Sequence, residues 1–195
     1  MSTTNLFVEL IVIGVGASIW LTLLVLALFG YDWVPVGQLL SPAAAVPLIA
    51  VVYLLGIVSD RLADAAFQRI WTDDLRGSFF KDRREYYNAR RIILTQSERL
   101  SDLLEYGRSR LRICRGWAFN SVLIAVTLNM FVWMQFADHR LAWPVSAFVS
   151  VIMLALSAAS WFAWRKLAMN EYRKIDEQAA FIESRAQTGT NAPTT

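Results

Sequence analysis

Four long stretches without a charged residue constrain this chain more than any other feature of its sequence. Asp, Glu, Lys and Arg are absent from residues 10–29, 34–59, 116–137 and 141–164. Each stretch supplies the ~20 residues that a helix rising ~1.5 Å per residue needs to cross ~30 Å of hydrocarbon. Because lipid offers the backbone no hydrogen-bond partner, each stretch is expected to be a helix. The sequence therefore predicts an all-α polytopic membrane protein with four transmembrane helices.

The composition excludes several other classes of protein. Charged residues make up 18% of the chain, against about 25% in soluble domains. The net charge of +3 gives no indication of a nucleic-acid partner, and a single Cys excludes a disulfide framework. One Cys and one His are also too few ligands for a transition-metal site. Since no Ser–His–Asp, Cys–His, HExxH, CxxC or P-loop pattern occurs, we predict no enzyme activity, no cofactor and no metal.

The basic residues between the predicted spans indicate the orientation of the chain. Residues 60–115 contain thirteen Lys and Arg, residues 165–195 contain five, and the remaining one is Arg140. Lys and Arg concentrate on the cytoplasmic side of membrane proteins. Residues 60–115 and the C-terminus are therefore predicted to be cytoplasmic, and an even number of spans places the N-terminus there too. We predict a multi-pass protein of the inner or plasma membrane.

These features divide the chain into five segments. Gly77 is a residue type that ends helices and Ser78 is one that begins them, so the segment between the two pairs of spans is expected to break there. The segments are a first transmembrane pair at 1–59, a cytoplasmic helical hairpin at 60–115, a second transmembrane pair at 116–164, a cytoplasmic C-terminal helix at 165–186 and a disordered tail at 187–195.

Apolar and small side chains recur at steps of three and four along the charged segments. From Phe79 the pattern continues into the third span, which predicts one helix extending ~55 Å before the membrane. A narrow seam of this kind is typical of coiled coils, so we predict a cytoplasmic, coiled-coil-like helical bundle. Because the seam is thin and rich in Ala, it buries little apolar area, and a homo-oligomer is expected. The two runs are Tyr86, Ala89, Ile93, Gln96, Leu100, Leu104, Gly107, Leu111 and Cys114, and then Ala168, Tyr172, Ile175, Ala179, Ile182 and Ala186.

Small polar side chains occupy one face of the third and fourth predicted spans. Such side chains let helices approach closely and form hydrogen bonds across their interface. In an oligomer the same side chains could line an aqueous pore, and the sequence leaves both interpretations open. The candidate interface or pore-lining residues are Asn120 and Thr127 on the third span and Ser146, Ser150, Ser157 and Ser160 on the fourth.

The first span carries two further signs of helix packing. Gly14 and Ser18 have the spacing of a small-residue contact between helices. Trp20 lies in mid-span, where its indole N–H would lack water, so we expect it to pack against another helix. No ionisable residue lies within any of the four charge-free stretches, which argues against a proton-coupled transporter but not against a passive channel.

Charged residues next to the spans form two groups. Asp60 and Asp64 lie one helical turn apart, and a salt bridge to Arg61 or Arg115 is favoured over a Mg²⁺ site. Three arginines before the third span share one side of the helix and are candidates for binding anionic lipid headgroups, unless they only fix the topology. These arginines are Arg108, Arg112 and Arg115.

The favoured function is that of a non-enzymatic, self-associating membrane protein in contact with the lipid bilayer. Its cytoplasmic bundle would dock a protein partner or register a signal, and its continuous helices would transmit the change to the spans. The alternative function is an oligomeric ion channel or a pore-forming membrane effector, in which the serine-containing face of the fourth span would help to line the lumen.

Overall fold

The computed structural model describes residues 3–33, 42–96 and 98–190, and every regular element in these ranges is helical. Four of the helices are long and apolar enough to cross a membrane, which agrees with the four predicted spans. In chain order the elements are α1 (Thr3–Phe29), α2 (Pro42–Phe67), a π-helical segment (Gln68–Thr72), α3 (Asp73–Gly77), α4 (Arg83–Gln96), α5 (Glu98–Gln135) and α6 (Ala142–Thr190).

Helix α5 is the centre of the fold, because it packs against α1, α2 and α6. Helix α1 also packs against α2, and α4 packs against α6 and α5. Parts of α2, α4, α5 and α6 that carry charged side chains come together around Asp60, Tyr86, Arg115 and Glu171. We call this end of the molecule the charged end. At the opposite end, Gln135 Nε2 donates a hydrogen bond to the carbonyl oxygen of Ala27 at 2.9 Å.

Helices α1 and α2 approach so closely that their backbones touch. A Cβ atom added to Gly14 would overlap the carbonyl oxygen of Val52, and one added to Gly56 would overlap the carbonyl oxygen of Leu10. Glycine is therefore required on both helices at this contact. The close packing predicted for Gly14 from its spacing is confirmed, while the partner glycine on α2 was not predicted.

Apolar side chains from three helices and from the turn before α4 form a cluster at the charged end, comprising Phe80, Ile93, Leu104 and Ile175. The prediction of one continuous helix from Phe79 into the third span is wrong, because α4 begins only at Arg83 and its Tyr86 lines the same cavity as Arg108 of α5. Ile93 and Leu104 are eleven residues apart, or about 16 Å along a straight helix, yet both belong to the same cluster. Ser97, between the two helices, lies outside the described residues.

The start of α4 also differs from the prediction. Helix α3 ends at Gly77 as expected, but Ser78 does not cap the next helix, because its hydroxyl donates to the carbonyl oxygen of Leu75 at 2.7 Å. Asp82 takes this role and accepts a hydrogen bond from the Glu85 backbone N–H at 2.7 Å. The intervening turn allows Phe80 to reach the apolar cluster, where only 4% of its surface is exposed.

The C-terminal helix is longer than the sequence pattern indicated. Helix α6 continues to Thr190 instead of ending at residue 186, since no proline occurs between residues 145 and 192 to stop it. The rest of the predicted disordered tail, residues 191–195, lies outside the described residues.

Candidate functional site: a charged cavity among four helices

Arg115 joins α5 to α2 at the charged end. Its Nη2 lies 2.9 Å from Oδ1 of Asp60, and its Nη1 bonds to Oδ1 of Asp64. The two carboxylates face the same arginine because they are one turn apart on α2. The predicted salt bridge is therefore confirmed, with Arg115 as the partner. Only 4% of the Asp60 side chain is exposed, so its negative charge is compensated by the guanidinium of Arg115 and not by water.

Glu9 forms the corresponding link from α1 to α5, and sequence reasoning missed it. The residue is 3% exposed, and its Oε1 accepts a hydrogen bond from the Ser109 hydroxyl. Its Oε2 lies 3.9 Å from Nη1 of Arg112. Glu9 borders the first charge-free stretch and is the single charged residue before Asp32. A lone charge beside an apolar helix needs a partner when it is buried, which is the signal that could have identified it.

A cavity of about 270 Å³ opens beside these ion pairs. It collects side chains from α2, α4, α5 and α6, so it lies where four helices meet. The three arginines predicted as a group all line it, whereas the contributions of α4 and α6 were not predicted. Its lining residues are Asp60, Arg61, Asp64, Tyr86, Arg108, Leu111, Arg112, Arg115, Ala168, Glu171 and Tyr172.

Some polar groups in the cavity lack a full set of hydrogen-bond partners. The Oε2 atom of Glu171 is buried and has no hydrogen-bond partner among the described residues. Its charge interacts with those of Arg108 and Arg90. Burial raises the pKa of Tyr86 above its ordinary value, and the nearby Arg90 opposes this shift. A phenol with a raised pKa stays protonated at neutral pH and can donate a hydrogen bond into the cavity.

The predicted role of the arginines in binding anionic lipid stays a prediction. The structure brings Arg112 close to Glu9 and pairs Arg115 with Asp60 and Asp64. Arg108 lines the same cavity without a salt bridge in the described part of the chain. The arrangement can hold a polar ligand or link helices through charge. Within the described ranges, no group of three or more His, Cys, Asp or Glu is placed to hold a metal ion.

No protein-family model matches the chain, and neither a curated protein nor a solved structure is significantly similar to it. Its function is therefore inferred from the chemistry and geometry of its own residues.

Asn120 is a second connection between helices, deeper in the bundle than the ion pairs. Its Oδ1 accepts hydrogen bonds from the Ser59 hydroxyl at 2.8 Å and from Nε1 of Trp20 at 3.2 Å. Its Nδ2 donates to the carbonyl oxygen of Ile13 at 2.9 Å. The absence of a side chain at Gly16 makes room for the amide. Asn120 thus links α1, α2 and α5, and the expectation that Trp20 packs against another helix is confirmed.

Three serine hydroxyls of α6 form hydrogen bonds to α5. Ser146 donates to Oδ1 of Asn129, and Ser150 accepts a hydrogen bond from its Nδ2 at 2.7 Å. Ser157 donates to the carbonyl oxygen of Ala118 at 2.8 Å. These three of the predicted residues therefore lie between α5 and α6.

The remaining two members of the predicted set make no contact of this kind in the described part of the chain. Thr127 is buried, and its hydroxyl donates to the carbonyl oxygen of Leu123 on its own helix at 2.8 Å. Ser160 is half-buried on α6. Asn120 and Thr127 share a face of α5, but only Asn120 forms hydrogen bonds to other helices.

Replacing Asn120 with leucine is expected to lower the free energy of unfolding by about 2–4 kcal/mol, because it leaves both the Ser59 hydroxyl and the Trp20 N–H without this acceptor, and each buried polar group left without a partner costs roughly 1–3 kcal/mol. Thr127→Val is the control, since it removes only a bond within one helix. It is expected to cost less than about 1 kcal/mol. Unfolding of both variants in mixed micelles, followed by tryptophan fluorescence, checks the prediction. Equal losses in the two variants would contradict the role of Asn120 as an interhelical link.

Proposed function

We propose that this protein is a non-enzymatic, self-associating integral membrane protein that docks a partner or senses a signal and couples it to its transmembrane helices. In this proposal both termini and the charged end are cytoplasmic, and α4, α5 and α6 form the receiving helical bundle. The observation that carries the proposal is the position of α4. One of its faces packs into the apolar cluster and the charged cavity, and its other face is exposed.

The outward face of α4 has the properties of a docking surface. Arg84, Tyr87, Arg91 and Leu94 follow one another at steps of three and four residues, and all four side chains are exposed. Residues at these steps form one stripe on a helix. Aromatic and arginine side chains are enriched at protein interfaces. A partner with an acidic surface would complement this stripe in charge.

The inward face of α4 supports the coupling step. Tyr86 lines the cavity together with side chains of α2, α5 and α6. Arg115 ties α2 to α5, and Glu9 ties α1 to the same helix. A displacement of α4 would therefore change the surroundings of charges that hold three membrane helices together. Such coupling needs an element with two arrangements, and α4 is our candidate for it.

We propose that self-association uses the apolar surface of α6. Along its charge-free part this helix packs on α5 and exposes large apolar side chains on the remaining face. Part of that face would meet lipid and part would meet a second copy. The exposed side chains include Phe148, Val151, Ile152 and Leu154.

The alternative of an oligomeric ion channel requires polar side chains in a lumen. Ser146, Ser150 and Ser157 instead have hydrogen-bond partners on α5, which favours their role in the helix interface. Flux through liposomes distinguishes the two functions, since a channel releases a trapped ion or dye without a partner.

Cross-linked co-purification from native membranes tests the proposed function. The wild-type chain is expected to recover a defined partner. Light scattering is expected to give it the mass of an oligomer. The double variant Arg84→Glu/Arg91→Glu should lose the partner, whereas Arg173→Glu, on an exposed part of α6, should keep it. A monomeric particle with no partner, or a partner that is retained by the double variant, would contradict the proposal.

A further inference from the structure

A second cavity, of about 440 Å³, lies between α3 with its preceding π-helical segment and α6. Three indole rings line it, those of Trp71, Trp161 and Trp164. Sequence position places it at the end of the last charge-free stretch, since Trp164 is the final residue of that stretch and Arg165 follows it. The cavity is separate from the charged cavity described above and shares none of its lining residues.

The π-helical segment explains how Trp71 reaches this position. The Thr72 hydroxyl donates to the carbonyl oxygen of Phe67, five residues earlier, at 3.2 Å. The Trp71 ring lies 4.9 Å from the Phe67 ring and 6.0 Å from the Trp161 ring, centroid to centroid, with the rings of each pair edge to face. Short π-helical turns inside longer helices are frequent at functional sites. Here the extra residue in the turn brings an indole of the α2 extension onto α6.

The polar side chains around the indoles can bind ligand groups of opposite charge. Asp74 lines the cavity as an exposed carboxylate and can accept from a cation. Arg165 lies over the Trp161 ring, with its Cζ 5.7 Å from the ring centroid, and can bind an anion. The Nε1 atom of Trp161 is buried and has no acceptor among the residues that the structure describes. One cavity thus combines aromatic faces, an acceptor and a cationic donor.

We propose that this cavity binds the headgroup of a zwitterionic phospholipid. The ammonium group would lie against the indole faces and Asp74, as aromatic cages bind quaternary ammonium ions. The phosphate would accept hydrogen bonds from the guanidinium of Arg165. A membrane lipid is the occupant because the cavity adjoins the end of a charge-free helix and interfacial tryptophans lie at headgroup level. This inference does not depend on a docked partner.

Native mass spectrometry of the full-length protein in detergent tests the proposal. The protein is titrated separately with phosphatidylcholine, phosphatidylethanolamine and phosphatidylglycerol that carry identical acyl chains. At least one of the two zwitterionic lipids is expected to bind roughly five- to tenfold more tightly than phosphatidylglycerol. Trp71→Leu and Asp74→Asn are each expected to remove most of this preference. The matched controls are Trp143→Leu and Asp176→Asn, which change exposed residues outside the cavity.

Three results would overturn the proposal. A zwitterionic-lipid affinity that neither Trp71→Leu nor Asp74→Asn lowers would show that the ammonium group is not recognised in this cavity, whatever anionic lipid the arginines of the charged cavity bind. Loss of the preference in the two control variants as well would show that the cavity is not its source. Soluble phosphocholine that binds more tightly than phosphatidylcholine would show that the occupant is not a lipid. Trp71→Phe, which keeps an aromatic ring, should retain part of the preference.

Discussion

Gly14→Ala is expected to destabilise the protein strongly, although alanine is normally the better residue in a helix. The new methyl group would overlap the carbonyl oxygen of Val52, so α1 and α2 would have to separate. We expect a loss of about 3 kcal/mol or more in the free energy of unfolding, at the upper end of the cost of overpacking. Gly56→Ala, on the other side of the same contact, should behave alike.

Gly77→Ala provides a control in which the expected effect is absent or has the opposite sign. No atom lies within 4 Å of a Cβ placed at Gly77, and this residue has no positive φ angle. The substitution should leave stability unchanged or raise it by up to about 1 kcal/mol through helix propensity. Thermal unfolding of the three variants measures the comparison. A stability of Gly14→Ala equal to that of Gly77→Ala would contradict the observed approach of the two helices.

Arg115→Met is expected to have the second large effect, because it leaves Asp60 buried without a compensating charge. Breaking a buried ion pair by removing one partner typically costs about 3–5 kcal/mol. Arg83→Met is the matched control, since the Arg83–Asp73 pair is exposed on both sides and should contribute less than about 1 kcal/mol. Denaturation in mixed micelles followed by tryptophan fluorescence compares the two variants.

A second substitution tests the cause of the loss in Arg115→Met. Adding Asp60→Asn removes the uncompensated charge, so the double variant should recover much of the stability. If the double variant stays as unstable as Arg115→Met, the loss comes from the packing of the long arginine side chain and not from the ion pair.

The parts of this fold that the sequence could predict are those set by local chemistry. Charge-free stretches of sufficient length define the spans, and the one-turn spacing of Asp60 and Asp64 predicts a shared arginine partner, although it leaves Arg61 and Arg115 as alternatives. The small-residue spacing at Gly14 likewise indicated a close helix contact. In each case the signal lies within one continuous segment of the sequence.

The remaining parts depend on how separate helices align, which no local pattern specifies. Tyr86 and Glu171 are far apart in the sequence and meet in one cavity because the chain divides between α4 and α5. The seam pattern continues across that division, so periodicity alone could not reveal it. Asn129 was recognisable as polar, but its pairing with Ser146 and Ser150 follows from the register of α6 on α5.

We propose that the charged end and the membrane helices form one mechanical unit, linked through Arg115. A distance measurement between spin labels on Val46→Cys in α2 and Met134→Cys in α5 tests it most directly. Both positions are exposed, and Cys114→Ala removes the single native thiol. The labels report on parts of α2 and α5 remote from the ion pair.

We predict a single narrow distance for the otherwise wild-type protein in nanodiscs, and the same distance after Arg83→Met. Arg115→Met should shift or split the distribution by about 2 Å or more, the scale of helix shifts in coupled transitions. An unchanged distribution in folded Arg115→Met would mean that the far ends of the helices do not respond to the ion pair, and would contradict the proposed coupling.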